Sequence, residues 1–479
     1  MEEAKHFIAG AWAAPAGGET ITVVDPSDGE PFARIARGTA ADVDAAVHAA
    51  RAAFDGPWGA ASAAERGRML YRLSMLVAAC RDELALIESR DTGKPLSQAR
   101  ADADALARYF EFYAGAADKL HGSTLPYRAG YTVLTLREPH GVTGHIVPWN
   151  YPMQILGRSV GAALAAGNAC VVKPSEDACL SILRVATLAA EAGLPAGALN
   201  VVTGYGFDAG AALARHPGVN HLSFTGSPDT GRAVAQMAAE HHAPVTLELG
   251  GKSPQIVFAD ADLDAALPVL VSAIIQNSGQ TCSAGSRVLI EQSIYEPLVE
   301  RLAAAFGALK VGPAGADLDC GPLISAKQQQ RVWDFLSDAQ HDGVAMAAHG
   351  EVATDAPETG FYQAPVLLRD VPHTHRLAQE EVFGPVLAAM RFTDEDEALA
   401  LANGTRYGLV AGIWTRDGAR QLRLTRKLRA GQVFVNDYGA GGGAELPFGG
   451  VGRSGHGREK GFEALYGFTV LKTIALKHG

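Results

Sequence analysis

The chain has 479 residues, 48% of them hydrophobic and 19% charged, a mix that fits about three globular units and excludes wholesale disorder. Lys and Arg number 41 against 52 Asp and Glu, a net charge of −11, and no basic stripe runs through the sequence, which argues against a nucleic-acid partner. No apolar run reaches the ~18 residues of a membrane span, and the N-terminus lacks the basic and apolar segments of a secretory signal. Five cysteines without disulfide or metal spacing predict a reduced, cytoplasmic protein with no metal site.

In chain order, residues 7–10 and 21–24 read as short strands, broken by Asp25-Pro26 and Gly29. Ala46, Val47, Ala50 and Phe54 repeat at helical spacing after Thr39, and two more helical blocks follow at about 63–89 and 97–120. From Val142 the texture changes. Strands are expected over 143–147, 169–173, 199–203, 221–225 and 246–249, with helices over 180–191 and 231–239. Short apolar runs alternating with helices predict a parallel, doubly wound α/β sheet. A second α/β block starts near 253–257 and takes strands near 287–290, 386–392, 409–414 and 432–436. Residues 439–443 read as a flexible Gly-rich loop. The run 468–474 reads either as an edge strand at home or as a strand added to a partner subunit.

Four places can carry chemistry. Cys80, Cys170 and Cys179 sit in apolar surroundings and read as small buried hydrophobes; Cys320, in a turn, reads as structural. Cys282 differs, because Asn277-Ser-Gly-Gln-Thr-Cys-Ser-Ala-Gly-Ser-Arg287 surrounds it with small and polar residues. Such a loop leaves the sulfur accessible and backbone N–H groups free to hold an anion. Glu248 stands between Leu247 and Leu249 at the end of an apolar strand. It is either a strand residue facing solvent or a general base whose pKa burial raises. Pro148-Trp-Asn-Tyr-Pro152 ends the first parallel strand, where ligands bind; Asn150 is either a turn residue or an oxyanion donor. The GxGxxxG run from Gly204 to Gly210 is not the dinucleotide fingerprint. The better phosphate site is Phe224-Thr-Gly-Ser-Pro-Asp-Thr-Gly231, which closes a strand and opens a helix.

These motifs, with Phe7-Ile-Ala-Gly-Ala-Trp12, Lys173-Pro-Ser-Glu176, Leu247-Glu-Leu-Gly-Gly-Lys-Ser-Pro254, Gly279-Gln-Thr-Cys282, Glu380-Glu-Val-Phe-Gly-Pro385 and Pro447-Phe-Gly-Gly-Val-Gly-Arg-Ser-Gly455, resemble the NAD(P)-dependent aldehyde dehydrogenase superfamily over almost the whole chain. The resemblance implies that family's fold: a doubly wound Rossmann-like cofactor domain over 1–120 and 140–250, and an α/β catalytic domain over 251–445. A small β oligomerisation element and tail would come from 121–139 and 446–479, in a homodimer or homotetramer. It also implies an oxidoreductase that converts an aldehyde to its carboxylic acid. Cys282 would attack the aldehyde, and the Asn150 amide and the Cys282 N–H would hold the thiohemiacetal oxyanion. One such donor is worth ~3–4 kcal/mol in the transition state. Glu248 would activate the water that hydrolyses the thioester. The rivals are a coenzyme-A-acylating semialdehyde dehydrogenase, which typically lacks this glutamate, and a non-catalytic family member, which would have lost one of these three residues.

For the cofactor, Gly226, Ser227 and Gly231 match the pyrophosphate turn, and Lys173, Ser175 and Glu176 match the adenosine ribose. Ile146 and Trp149 match further lining positions, and Glu381 and Phe383 the nicotinamide ribose. Glu176 can accept from both ribose hydroxyls and would repel a 2′-phosphate, favouring NAD over NADP; Lys173 pulls the other way. Two substrate features disagree. Tyr151, Ile155 and Arg158 fall on one helix face. Arg158 matches an arginine that binds the distal carboxylate in succinate-semialdehyde dehydrogenases, or is a helix arginine paired to a neighbouring acid. The small residues of 439–443 instead suggest a roomy mouth for aromatic or branched aldehydes. Ser283 and Ala284 follow Cys282, so no vicinal disulfide is expected.

Overall fold

The computed structural model describes residues 2–439 and 443–479; positions 440–442 of the Gly-rich loop lie outside the described residues. The first α/β block runs β1 (Val142–Val147), α1 (Pro152–Ala166), β2 (Ala169–Pro174), α2 (Leu180–Glu191), β3 (Leu199–Val201), β4 (His221–Thr225), α3 (Pro228–Ala239) and β5 (Val245–Glu248). The five strands are parallel in the order β5-β4-β1-β2-β3. His6–Ile8 caps one edge and Gly455–His456 the other, both antiparallel. The strands are buried along nearly their whole length, which is why they read as unbroken apolar runs rather than as alternation. The chain winds outward from β1 through β2 to β3, then returns to place β4 on the other side of β1. Neighbours β1 and β4 therefore send their following segments to opposite faces, and a crevice opens between their carboxyl ends.

The helices before β1 pack onto this sheet. The block expected as one helix over 63–89 is two, Ala63–Ala79 and Arg81–Thr92. Cys80 breaks it with φ −95° and ψ 17°, ending one helix and starting the next. Its sulfur is half-buried rather than in the core. The third helix is Leu96–Ala116. It buries Leu106, Tyr109, Phe110 and Tyr113 in the same core as α1.

The second block has its own sheet: β6 (Pro254–Val257), β7 (Arg287–Glu291), β8 (Val366–Arg369), β9 (Val386–Phe392), β10 (Val410–Trp414) and β11 (Gln432–Val435). They are parallel in the order β8-β9-β7-β6-β10-β11, over a core that includes Ile256, Leu289, Ala388 and Ile413. A third sheet pairs Tyr131–Pro139 along its length with Thr469–Lys477, with Thr124–Leu125 on the far side. The C-terminal strand thus pairs within its own chain. Among the described residues no helix is long and apolar enough to cross a membrane.

Candidate active site

A cleft of about 1240 Å³ opens where the switch point predicts it. Trp149 and Asn150 reach it from the end of β1, Gly226 and Ser227 from the end of β4, and Glu248 from the end of β5. Cys282, Glu381 and Phe383 close it from the second block.

The loop that presents Cys282 is held in an unusual backbone. Asn277, Ser278 and Gly279 are consecutive left-handed residues, with φ of 48°, 54° and 73°. Non-glycine residues there cost roughly 1–3 kcal/mol each and persist only when their surroundings fix them. The Asn277 N–H donates to Gln98 Oε1 at 2.8 Å, and its side-chain amide donates to the Asn150 carbonyl at 2.9 Å. Ser278 Oγ donates to the Gly321 carbonyl at 2.7 Å. Gly279 has no alternative, because a Cβ there would lie 2.2 Å from Gly384. The same bonding ties the loop to Asn150, whose Nδ2 donates to the Gln280 carbonyl at 3.0 Å. Cys282 as a residue is half-buried. Burial pushes its thiol up to about 12, Arg158 works against that shift, and Glu381 and Glu248 add to it.

Glu248 is 1% exposed, so the solvent-facing alternative does not hold. Neither carboxylate oxygen has a hydrogen-bond partner among the described residues. Burial holds its pKa well above the ordinary carboxylate range and Glu459 adds to the effect, while Arg158 and Arg458 oppose it. One wall of its pocket is Gly449 (φ +148°), where a Cβ would lie 2.7 Å from Glu248 Oε1.

The cofactor candidates are spread along the same crevice. Ser227 Oγ caps α3 by accepting from the Thr230 N–H at 3.2 Å, and Gly231 is buried one turn further on. Thr225 Oγ1, at the same strand end, is buried without a hydrogen-bond partner among the described residues. At the end of β2, Lys173 Nζ pairs with Glu176 at 2.9 Å, and Ser175 Oγ accepts from the Asp177 N–H at 3.4 Å. Ile146 is half-buried in β1. Trp149 meets Phe383 edge-on at 5.4 Å. Glu381 accepts from the Gly251 N–H at 2.9 Å, and burial raises its pKa to about 7. A capped helix N-terminus between two carboxylate-bearing ends suits a dinucleotide, with donors for its phosphates and acceptors for its ribose hydroxyls.

Of the three substrate candidates, all buried, Ile155 and Arg158 lie on α1 and Tyr151 is its N-cap residue. The Tyr151 ring receives Lys94 Nζ at 4.4 Å. Arg158 meets the neighbouring-acid alternative: its Nε pairs with Glu459, and its guanidinium lies 4.9 Å from the Phe448 ring centroid. Glu459 also accepts from Ser223 Oγ at 2.8 Å. Glu459, Phe448, Gln280 and Lys94 are among the residues around the site to which the sequence assigned no role. Glu459 sits in Gly457-Arg-Glu-Lys-Gly461, a charged run in which Glu459 and Lys460 are nevertheless buried.

Comparison with known proteins agrees along the chain. The family model of the aldehyde dehydrogenase family matches residues 12–474. Hydroxyisobutyraldehyde dehydrogenase of Mycolicibacterium austroafricanum is 43% identical over 98% of this chain and 93% of the relative. Mitochondrial benzaldehyde dehydrogenase of Antirrhinum majus is 41% identical over 99% of this chain and 89% of the relative. Among solved structures, a provisionally named aldehyde dehydrogenase from Burkholderia cenocepacia superposes with a TM-score of 0.99 at 83% identity, covering 99% of this chain and 100% of that one. The NAD+ complex of aldehyde dehydrogenase from Bacillus cereus superposes with a TM-score of 0.97 at 39% identity, covering 100% and 97%.

Proposed function

The chain belongs to the aldehyde dehydrogenase family, and from that premise we propose that it oxidises an uncharged aldehyde to its acid with NAD, Cys282 serving as nucleophile and Glu248 as base. The observation that carries the reading is a buried carboxylate with both oxygens free, in one cleft with a cysteine and an amide donor.

Cys282 rests as a thiol, so its proton must leave before it attacks. Glu248 takes that proton and passes it to solvent. The sulfur bonds to the aldehyde carbon, and the carbonyl electron pair moves to oxygen. One amide hydrogen of Asn150 is held by Gln280; the second meets the new oxyanion together with the Cys282 N–H. NAD, when bound, supplies the hydride acceptor. The Cys282 thioester then remains. Glu248 takes a proton from water, the water oxygen bonds to the acyl carbon, and the acid leaves as the carbon–sulfur bond breaks. A carboxylate base in the same cleft as the nucleophile supports water rather than coenzyme A as acyl acceptor.

For the cofactor, Glu176 engages Lys173 at the expected ribose position, which supports NAD over NADP. For the substrate, Glu459 already occupies Arg158, and the two relatives above are named for uncharged aldehydes. The carboxylate-bearing alternative keeps one observation: Arg158 Nε, ion-paired to Glu459, and Nη2 are both buried without a hydrogen-bond partner among the described residues. The domain division given above and a subunit contact through the third sheet, where Val470, Leu471 and Leu476 are exposed, belong to the same reading. The test is kcat/KM with NAD for benzaldehyde beside succinic semialdehyde. Preference for benzaldehyde is expected; a strong preference for the semialdehyde overturns the uncharged substrate.

A further inference from the structure

The Arg158–Glu459 pair lies beside the base, and no step above uses it. Its placement is built by one turn of chain. Phe448 and Glu459 exchange two backbone hydrogen bonds, 2.6 and 2.8 Å. Gly449, the next residue, forms the wall against Glu248 Oε1. Ser223, which donates to Glu459, lies on β4, the strand paired to β5. The Phe448 ring stacks under the Arg158 guanidinium and packs with Leu409 and Val410 next to Cys282.

The charged and titratable groups facing Glu248 are Glu459 and Arg458 from this turn, Arg158 from α1 and Cys282 from its loop. Tyr109 and Lys460 face Arg158 in turn. His456 pairs with Leu247 of β5 through the backbone. Two buried carboxylates in one cluster do not both ionise unless a cation compensates them. We propose that Arg158 is a positioning residue for the hydrolytic step: it neutralises Glu459, so that Glu248 can lose its proton, and it does not clamp a carboxylate on the substrate. The proposal rests on Glu248 being the base of the reading above. Without Arg158, the cluster loses the cation paired with Glu459, and ionising Glu248 beside that carboxyl group costs more.

The test uses the full-length enzyme and benzaldehyde, with Arg158→Met, Glu459→Gln and the double variant. The NADH burst and the steady state are followed separately against pH, because Cys282 also faces Arg158. Arg158→Met is expected to move the ascending limb of kcat upward by about one pH unit or more. At neutral pH kcat then falls about tenfold, KM stays within about twofold, and acyl-enzyme accumulates by intact mass. Glu459→Gln is expected to move the limb downward, and the double variant to return it toward wild type. A limb unmoved in all three overturns the proposal. So does a KM for succinic semialdehyde that rises selectively in Arg158→Met. Where Arg158→Met does not fold, Glu459→Gln decides alone: a limb unmoved or moved upward overturns it. Failure of the underlying reading looks different: Glu248→Gln would then hydrolyse its acyl-enzyme at the wild-type rate.

Discussion

Two buried acid–cation clusters flank α1, and they are built to opposite rules. In the first, Lys94 Nζ lies between Glu88, at 2.9 Å, and Asp102. The second Glu88 oxygen accepts from the Met153 N–H and Ser181 Oγ, and the second Asp102 oxygen accepts from Gln154. Every carboxylate oxygen there has a partner. In the second cluster Arg158 compensates Glu459, but both oxygens of Glu248 have none. Burial is the same in both: Glu88 is 0% exposed and Glu248 1%. A saturated cluster fixes a shape, here the turn that carries Asn150. A buried acceptor left open costs stability and is the one kept ready for a proton.

That contrast can be broken first at the nucleophile. Cys282→Ala should lower NADH formation by roughly 10⁵-fold or more while leaving the thermal midpoint in place; residual turnover near wild type would remove Cys282 from the chemistry. Glu248→Gln should come next. Hydrolysis is expected to slow by about 10²–10⁴-fold, with the NADH burst slowed as well, because Glu248 also takes the Cys282 proton, and the acyl adduct visible by mass. The base works ionised, and its pKa is raised. Wild-type hydrolysis should therefore climb with pH above the ordinary carboxylate range, and the climb should vanish in Glu248→Gln. The substitution should not lower Tm, because it removes no hydrogen bond. A large loss of Tm would mean that Glu248 belongs with the saturated cluster.

Lys94→Met tests the other side. It leaves Glu88 and Asp102 facing each other without a cation and should cost about 3–5 kcal/mol of stability. Denaturant midpoints measure that loss. The pH limb of the folded fraction should stay where it is in wild type. If the limb moves instead and the midpoint does not, the two clusters have exchanged roles.

How much of this could be read in the sequence follows the same division. Strands buried on both faces announce themselves as apolar runs, so the sheet of β1 to β5 was legible nearly strand by strand. Cys80 was not, because a single non-helical residue leaves the apolar pattern of 63–89 unbroken. Glu248 stood out as a carboxylate between leucines, but its pocket is made by Gly449, far along the chain. The left-handed turn before Cys282 starts on Asn277 and Ser278, which carry no glycine signal; tertiary hydrogen bonds impose it. Arg158 was visible and its partner was not, since Glu459 lies in a run of charges that local pattern assigns to the surface.

The smallest expected effect lies at the far end of the crevice, away from both clusters. Lys173 is buried and its amino group is bound to Glu176, which is itself only half-buried. While that pair holds, the lysine charge is spent on the carboxylate and the carboxylate repels a 2′-phosphate. Glu176→Gln removes the repulsion and releases Lys173 together. The ratio of kcat/KM for NAD over NADP should then fall by about tenfold, the scale of one charge interaction near a protein surface. The wild-type ratio should itself shrink at high ionic strength, because solvent reaches this site. The clusters beside α1 are sealed, so the pH limb should respond to salt far less. A ratio unchanged by Glu176→Gln would place the ribose elsewhere and leave Lys173–Glu176 as a structural pair, built like the one at Lys94.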